Sequence, residues 1–215
     1  MTRSDQLALE FSHRPALGRE DFMVTPCNEN AVAWVDRWPD WPAPALVIHG
    51  PAGCGKTHLA GVWRQRSGVT ESAVIENADQ HIDDVALFHR YNQHAEDGTH
   101  LLLTARTPPA RWPGRLPDLI SRLKASPTVA IGAPDDTLIA QVVVKLFADR
   151  QLEVGTEVVP YLVTHMERSF AAALRLVAAS DAAALSAKRP ITVPLVREVL
   201  AELERDPHSS LNVQK

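Results

Sequence analysis

The sequence is poor in cysteine, shows no excess of basic charge and contains no long apolar run. Its two cysteines, Cys27 and Cys54, form no CxxC pair, which favours a reduced, cytoplasmic protein. Lys and Arg number 22 against 26 Asp and Glu, and the resulting net charge of −4 argues against bulk attraction to nucleic acid. No apolar run reaches the about 18 residues of a membrane span, and the N-terminus does not resemble a signal peptide. We therefore expect no membrane partner.

The composition is that of an ordinary globular protein. Hydrophobic residues make up 45% of the sequence and charged residues 22%, which argues against disorder and fibrous repeats. The 215 residues have room for one large domain, or for a main domain with a small additional one. A chain of this length buries roughly 70% of its unfolded surface, so it needs no disulfide or metal to fold.

Apolar runs and helical patterns alternate in the first two thirds of the sequence. Residues 45–49 (ALVIH) form a short apolar run that is typical of a buried parallel strand. Further strands are predicted at residues 72–76, 100–104 and 128–131. Helices are predicted at residues 28–38, 82–95 and 115–124. This alternation predicts an α/β fold with a parallel sheet flanked by helices.

After Pro134 the sequence contains only helical patterns. They cover about residues 135–150, 156–166, 168–187 and 192–204. We therefore predict four parts of the chain. They are a flexible tail at residues 1–19, an α/β domain at 20–134, a small all-helical domain at 135–205 and a polar tail at 206–215.

A phosphate-binding loop of the form GxxxxGK[ST] lies between the first strand and a predicted helix. Its residues are Gly50, Pro51, Ala52, Gly53, Cys54, Gly55, Lys56 and Thr57. Glycines let backbone N–H groups surround phosphate oxygens, Lys56 reaches the β- and γ-phosphates, and the Thr57 hydroxyl binds Mg²⁺. A chance glycine turn is the alternative, but the flanking strand and helix favour nucleotide binding. At Cys54 we favour a small residue tolerated by the loop over a reactive thiol.

A second phosphate-site element is predicted at residues 73–79 (AVIENAD). Glu76 stands where an acidic residue holds Mg²⁺, but Asn77 follows it where a carboxylate normally orients the attacking water. An amide cannot take a proton from that water as a carboxylate can. Whether Asp79 takes this role is left open by the sequence. We therefore expect the nucleotide to be bound well and hydrolysed slowly.

With the helical C-terminal region, these motifs resemble the AAA+ domain of the bacterial replication initiator DnaA and, more closely, the DnaA-related regulators called Hda. The resemblance covers about residues 5–204 and implies an AAA+ P-loop fold whose helical domain is a lid. It implies ADP or ATP as the ligand, with Mg²⁺ held by Thr57 and Glu76. Thr104 ends the strand that carries the first sensor residue. Besides the phosphate loop, the residues assigned to the nucleotide are Asp21, Phe22, Met23 and His58.

The chain departs from the family in its lid. Members usually carry a sensor arginine in the third lid helix, and the matching position here is Ala171 or Ala172. Arg168 lies one turn away, and the sequence leaves open whether it reaches the phosphates. Initiators of this family also continue into a DNA-reading helix-turn-helix domain, for which the chain has no room. We therefore expect weak intrinsic hydrolysis and no sequence-specific DNA binding.

Arg122 corresponds to the arginine finger in this resemblance. Such an arginine offers its planar, charged fork to the γ-phosphate on a neighbouring AAA+ domain. From spacing alone, Arg122 is an exposed cation that the helix dipole stabilises near the end of helix 115–124. The resemblance favours the finger.

The N-terminal residues resemble the peptide with which bacterial replication proteins bind the sliding clamp. The matching side chains are Gln6, Leu7, Leu9 and Phe11. In an extended chain, alternate apolar side chains enter pockets on a partner. A first strand packed on its own domain is the alternative, but the polar surroundings favour docking.

The leading hypothesis is a negative regulator of replication initiation. It binds the DNA-loaded sliding clamp and promotes hydrolysis of DnaA-bound ATP through Arg122. A helicase-loader-type AAA+ ATPase and, less favoured, a small-molecule P-loop kinase are the alternatives. The choice between ADP and ATP and the formation of a homodimer are left open.

Overall fold

The computed structural model describes residues 22–80, 83–112 and 116–205. A four-stranded sheet lies at its centre, in the order β2-β3-β1-β4. The strands are β1 (Ala45–His49), β2 (Val74–Ile75), β3 (Leu101–Ala105) and β4 (Thr128–Ala130). Every neighbouring pair is parallel, which confirms the predicted α/β fold class.

The strand register aligns the carboxyl ends of the strands. β1 pairs with β3 from Ala45 opposite Leu101 to His49 opposite Ala105. β4 lies on the other side of β1, with Ala130 also opposite His49. Because all strands run the same way, the loops that follow β1, β2 and β3 meet at one edge of the sheet.

Four helices cover the two faces of the sheet. They are α1 (Glu29–Asp36), α2 (Lys56–Ser67), α3 (Asp84–Glu96) and α4 (Pro117–Ala125). Leu46 and Ile48 of β1 belong to the core with α1 and α2, whereas Ala45 and Val47 belong to the core with α3 and α4. The first four residues of β1 are apolar, and they are buried on both of its faces.

The second predicted strand is shorter than the sequence suggests. Only Val74–Ile75 is extended, because Glu71–Ala73 forms a 3₁₀ turn. The other three predicted strands agree with the structure to within one residue at each end.

The four C-terminal helices surround a separate apolar core. They are α5 (Asp136–Asp149), α6 (Val158–His165), α7 (Phe170–Ala187) and α8 (Val193–Arg205). Side-chain caps start two of them. Asp135 accepts a hydrogen bond from Leu138 N (2.7 Å), and Ser169 Oγ accepts one from Ala172 N (3.1 Å). Satisfying the free N–H groups of the first turn fixes where each helix begins.

By length and composition alone, α7 qualifies as a membrane span, and no other helix in the described ranges does so. Its 18 residues have a mean hydropathy of 1.4, although Arg175 and Asp181 interrupt the apolar sequence. Leu176 and Val177 lie in the core formed with α5, α6 and α8. A core helix of a globular domain has the same composition, so the hydropathy of α7 carries no further conclusion.

Two leucines of α7 offer a matched test of this packing. Leu176 is 1% exposed and Leu185 is 72% exposed. Leu176→Ala should lower the free energy of unfolding by about 2–5 kcal/mol, because it leaves a cavity in the core. Leu185→Ala should change it by less than about 0.5 kcal/mol. Denaturant titration followed by circular dichroism measures both values, and equal losses would contradict the packing of α7.

Candidate functional site

The glycine-rich loop between β1 and α2 is in close contact with the first turn of α7. Gly53 has a φ of 70°, a left-handed conformation that glycine adopts without strain. A Cβ atom at Gly53 would lie 2.5 Å from Cβ of Ser169, which is shorter than any real contact. Phe170 N donates a hydrogen bond to the Gly53 carbonyl at 3.0 Å. The helical domain therefore touches the loop through its backbone, and only glycine fits there.

Lys56 folds back over the start of the loop. Its Nζ donates to the carbonyls of Gly50 (2.9 Å) and Pro51 (2.7 Å). The side chain is 8% exposed, so little solvent screens its charge. An ammonium group has three N–H donors: two bond these carbonyls, and Nζ also donates to Cys54 Sγ at 3.7 Å. This arrangement fixes a positive charge at the base of the loop.

Two titratable groups beside the loop are kept neutral. Burial raises the pKa of the Cys54 thiol, and the nearby Lys56 only partly opposes this effect. Burial lowers the pKa of His49, and the charges of Arg111 and Lys56 lower it further. At neutral pH both groups are uncharged. Cys54 is 1% exposed and fills space beneath the loop, as expected for a tolerated small residue.

A cavity of about 530 Å³ lies between the glycine-rich loop, the sheet edge and the helical domain. Most of the predicted site residues line it. They are Phe22, Met23, Ala52, Gly53, Gly55, Lys56, Thr57, His58, Glu76 and Thr104. Gly50, Pro51 and Cys54 do not face it. Asp21 and the peptide with Gln6, Leu7, Leu9 and Phe11 lie outside the described residues.

Thr57 and Glu76 meet in the cavity although 19 positions separate them. The Thr57 hydroxyl donates to Glu76 Oε2 at 2.6 Å. Hydroxyl and carboxylate oxygens are among the ligands that Mg²⁺ prefers. These two side chains therefore fit a magnesium ion.

Thr104 holds the segment after β2 against the end of β3. It is 1% exposed, its hydroxyl accepts from Asn77 N (3.3 Å), and its carbonyl accepts from Ala78 N (2.7 Å). Asn77 lines the cavity and has a φ of 52°, which asparagine tolerates better than most residues. An amide, not a carboxylate, thus lies beside Glu76.

Asp79 is used elsewhere. Its Oδ2 accepts hydrogen bonds from the backbone N–H groups of Arg106 (2.8 Å) and Thr107 (3.1 Å). It stabilises the turn after β3 and does not line the cavity. In this structure Asp79 therefore lies outside the cavity and does not stand beside Asn77 at the phosphate site.

No arginine lines the cavity among the described residues of the helical domain, 136–205. Ala171 lines the cavity, whereas Ala172 is buried in the core of the helical domain. Arg168 pairs with Asp136 through two hydrogen bonds of 2.6 and 3.0 Å and does not line the cavity. Among the lining residues of this domain that the structure describes, Lys145 is the only cation.

Three cavity-lining cations were not predicted. They are Arg64, Arg106 and Lys145. Arg106 follows Thr104 by two positions, and alternate residues of an extended segment lie on the same side. This spacing could therefore have predicted that Arg106 lines the cavity together with Thr104. Arg64 pairs with Glu71 at 3.1 Å, and Lys145 with Asp149 at 4.0 Å. Their places depend on helix packing that the sequence pattern does not specify.

Arg122 lies away from the cavity, in the last turn of α4. Its side chain is exposed, and the guanidinium carbon lies 5.1 Å from the ring centroid of Phe88 and 5.8 Å from that of Tyr91. Arg122 therefore does not act on this cavity, and it is available at the surface.

Comparisons with known proteins agree with this architecture. Residues 140–200 match the family model described as "Hda, lid domain". An uncharacterized protein of Haemophilus influenzae is 27% identical, over 75% of this chain and 83% of that protein.

Solved structures share the fold at low sequence identity. Domain III of Thermotoga maritima DnaA superposes with a TM-score of 0.75 at 16% identity, covering 88% of this chain and 97% of that domain. AMPPCP-bound DnaA from Aquifex aeolicus gives 0.65 at 17% identity, covering 90% of this chain and 71% of that one. A Thermotoga maritima RuvB structure gives 0.62 at 12% identity, covering 87% and 72%. The chain therefore shares the fold of DnaA domain III, and residues 140–200 match the lid domain of Hda.

Proposed function

We propose that the cavity binds ADP or ATP. The phosphates are held by the backbone of the glycine-rich loop and by Lys56, whose charge is fixed at the loop. Phe22, Met23 and His58 line the same cavity and contact the base, and the Phe22 and His58 rings already meet edge to face at 5.1 Å. The AMPPCP-bound DnaA that shares this fold supports the assignment.

Thr57 and Glu76 hold Mg²⁺ when the nucleotide is bound. Support comes from the 2.6 Å contact between the hydroxyl and the carboxylate at the edge of the cavity. A magnesium ion held there would neutralise phosphate charge.

The chain hydrolyses its own ATP slowly. Asn77 occupies the position beside Glu76 and is no general base. Asp79 is hydrogen-bonded to the turn after β3, and Ala171 contributes no charge from the lid. The groups that bind nucleotide are thus present among the described residues, whereas the groups that would activate water are not.

The chain is a DnaA-related regulator, and its main activity is on a partner. It promotes hydrolysis of DnaA-bound ATP by inserting Arg122 into the partner's nucleotide site. The observation that carries this proposal is the exposed Arg122 guanidinium, outside the chain's own cavity, in a protein with an Hda-type lid. A guanidinium supplied in trans stabilises the charge of the transferring phosphoryl group.

The N-terminal peptide binds the DNA polymerase sliding clamp on newly replicated DNA. This part of the proposal rests on Gln6, Leu7, Leu9 and Phe11 in the sequence. Docking on the clamp limits regulation to cytoplasmic complexes where replication has begun.

Lys56→Ala should abolish binding of ADP and ATP, because it removes the fixed cation of the loop. Lys124→Ala, which removes an exposed lysine of α4, should leave the affinity unchanged. Isothermal titration calorimetry measures both. Nucleotide binding by Lys56→Ala at wild-type affinity would contradict the assignment. Wild-type turnover of about one per second or more would leave the assignment standing and would contradict the proposed slow hydrolysis.

Arg122→Ala should lose the stimulation of DnaA-bound ATP hydrolysis while it still binds nucleotide and clamp. An arginine finger contributes about 10³-fold or more to the hydrolysis rate. Arg122→Lys should rescue poorly, because a point charge lacks the planar fork. Lys124→Ala is the matched control on the same helix.

The assay follows the ATP-to-ADP ratio on DnaA over time, with clamp-loaded DNA present. Full stimulation by Arg122→Ala would remove Arg122 from the mechanism. No stimulation by the wild-type protein would contradict the proposed function as a whole.

Replacing both Leu9 and Phe11 with alanine should abolish binding to the purified sliding clamp. Apolar anchors in a peptide groove often contribute about 2 kcal/mol each to binding. The melting temperature of the variant should stay near that of the wild type. A sharply lower melting temperature would show instead that the segment belongs to the fold.

A further inference from the structure

The side chain of Arg122 packs against two aromatic rings of α3. Its guanidinium carbon lies 5.1 Å from the centroid of Phe88 and 5.8 Å from that of Tyr91. Both distances fall within the range of a cation–π interaction. No salt bridge of Arg122 occurs among the described residues. The rings are therefore the groups that restrict this otherwise exposed arginine.

Tyr91 is itself fixed to the end of α4. Ser126 Oγ donates to the Arg122 carbonyl at 3.0 Å, and the Tyr91 hydroxyl meets the same Oγ at 3.2 Å. Tyr91 is 5% exposed and Ser126 is 4% exposed. This buried chain of hydrogen bonds joins the ring of α3 to the backbone of Arg122. The two rings and Arg122 therefore form one packed unit, in which hydrogen bonds tie Tyr91 to the backbone of Arg122.

Of the two rings in this unit, Phe88 is the one nearer the solvent, on the same side as the exposed Arg122. It is half-buried, and it packs at the border of the core beneath α3 and α4. The face of an aromatic ring attracts a guanidinium placed over it. The five N–H donors of the guanidinium lie in the plane of the guanidinium itself. A cation held in this way keeps in-plane donors for an anion. Restricting the side chain before docking also lowers the entropy lost on binding.

We propose that Phe88 is a positioning residue, which holds the Arg122 guanidinium in the orientation that enters the partner's nucleotide site. Tyr91 supports it from the core side. This inference rests on the proposed function. Phe88 touches neither the nucleotide of its own chain nor, in this proposal, that of the partner.

Phe88→Leu keeps an apolar side chain and removes the ring. The maximal stimulated rate of hydrolysis on DnaA should fall about threefold to tenfold, which corresponds to the loss of one cation–π contact. The concentration of regulator that gives half-maximal stimulation should stay unchanged. Phe88→Trp should restore the maximal rate, because tryptophan is the strongest cation–π partner.

The chain contains a matched control pair. The Arg37 guanidinium carbon lies 5.3 Å from the ring centroid of Trp34, at the end of α1 and on the other face of the sheet. Trp34→Leu removes a ring from a similar arginine contact remote from α4. It should leave the stimulated rate unchanged. A double variant with Arg122→Ala should show no further loss from Phe88→Leu, because the two changes act on one contact.

The outcomes separate this inference from the proposed function. An unchanged or higher maximal rate with Phe88→Leu, while Arg122→Ala remains inactive, would overturn the positioning role alone. A rise in the half-maximal concentration with an unchanged maximal rate would make Phe88 an interface contact and would also overturn it. Full activity of Arg122→Ala would refute the proposed mechanism itself. Melting temperatures of all variants show whether a loss comes from unfolding.

Discussion

Parallel pairing of β1 with β3 brings three separate segments to the same edge of the sheet. The pairing continues beyond the strands, since Gly50 N donates to the Ala105 carbonyl at 3.1 Å and Ala78 N to the Thr104 carbonyl at 2.7 Å. These two bonds connect the glycine-rich loop and the segment after β2 to the end of β3. Without this register, Thr57 and Glu76 would not meet, and Lys56 would face no cavity.

The structure separates the cavity proposed to bind nucleotide from the arginine proposed to promote hydrolysis. The lid contacts the loop through the Phe170 N–H and the Gly53 carbonyl, but it contributes Ala171 to the cavity. Arg122 lies outside the cavity at the end of α4, against rings that also belong to the core. We propose that a chain built this way retains nucleotide without efficient turnover and presents a cation to a neighbour. Both features would suit the proposed DnaA-related regulator.

Much of the fold follows from local sequence patterns. β1 is predicted because its first four residues are apolar on both faces, and the loop is predicted because phosphate binding restricts its glycine, lysine and threonine positions. The positions of the Asp79 and Arg168 side chains could not be predicted from local patterns, because each side chain bonds to a residue far away in the sequence. Asp79 bonds to the turn at Arg106, and Arg168 pairs with Asp136, 32 positions away. Arg64 and Lys145 were missed for the same reason, since helix packing brings them to the cavity.

In the proposed function, Arg122 contacts the oxygens of the partner's transferring phosphoryl group and stabilises the charge that develops on them. The most direct measurement compares the affinity of the chain for DnaA loaded with ADP and with ADP plus aluminium fluoride, a mimic of that charge. The account predicts tighter binding to the aluminium fluoride complex for the wild-type chain and for Lys124→Ala, and no such gain for Arg122→Ala. An equal gain for Arg122→Ala would contradict it.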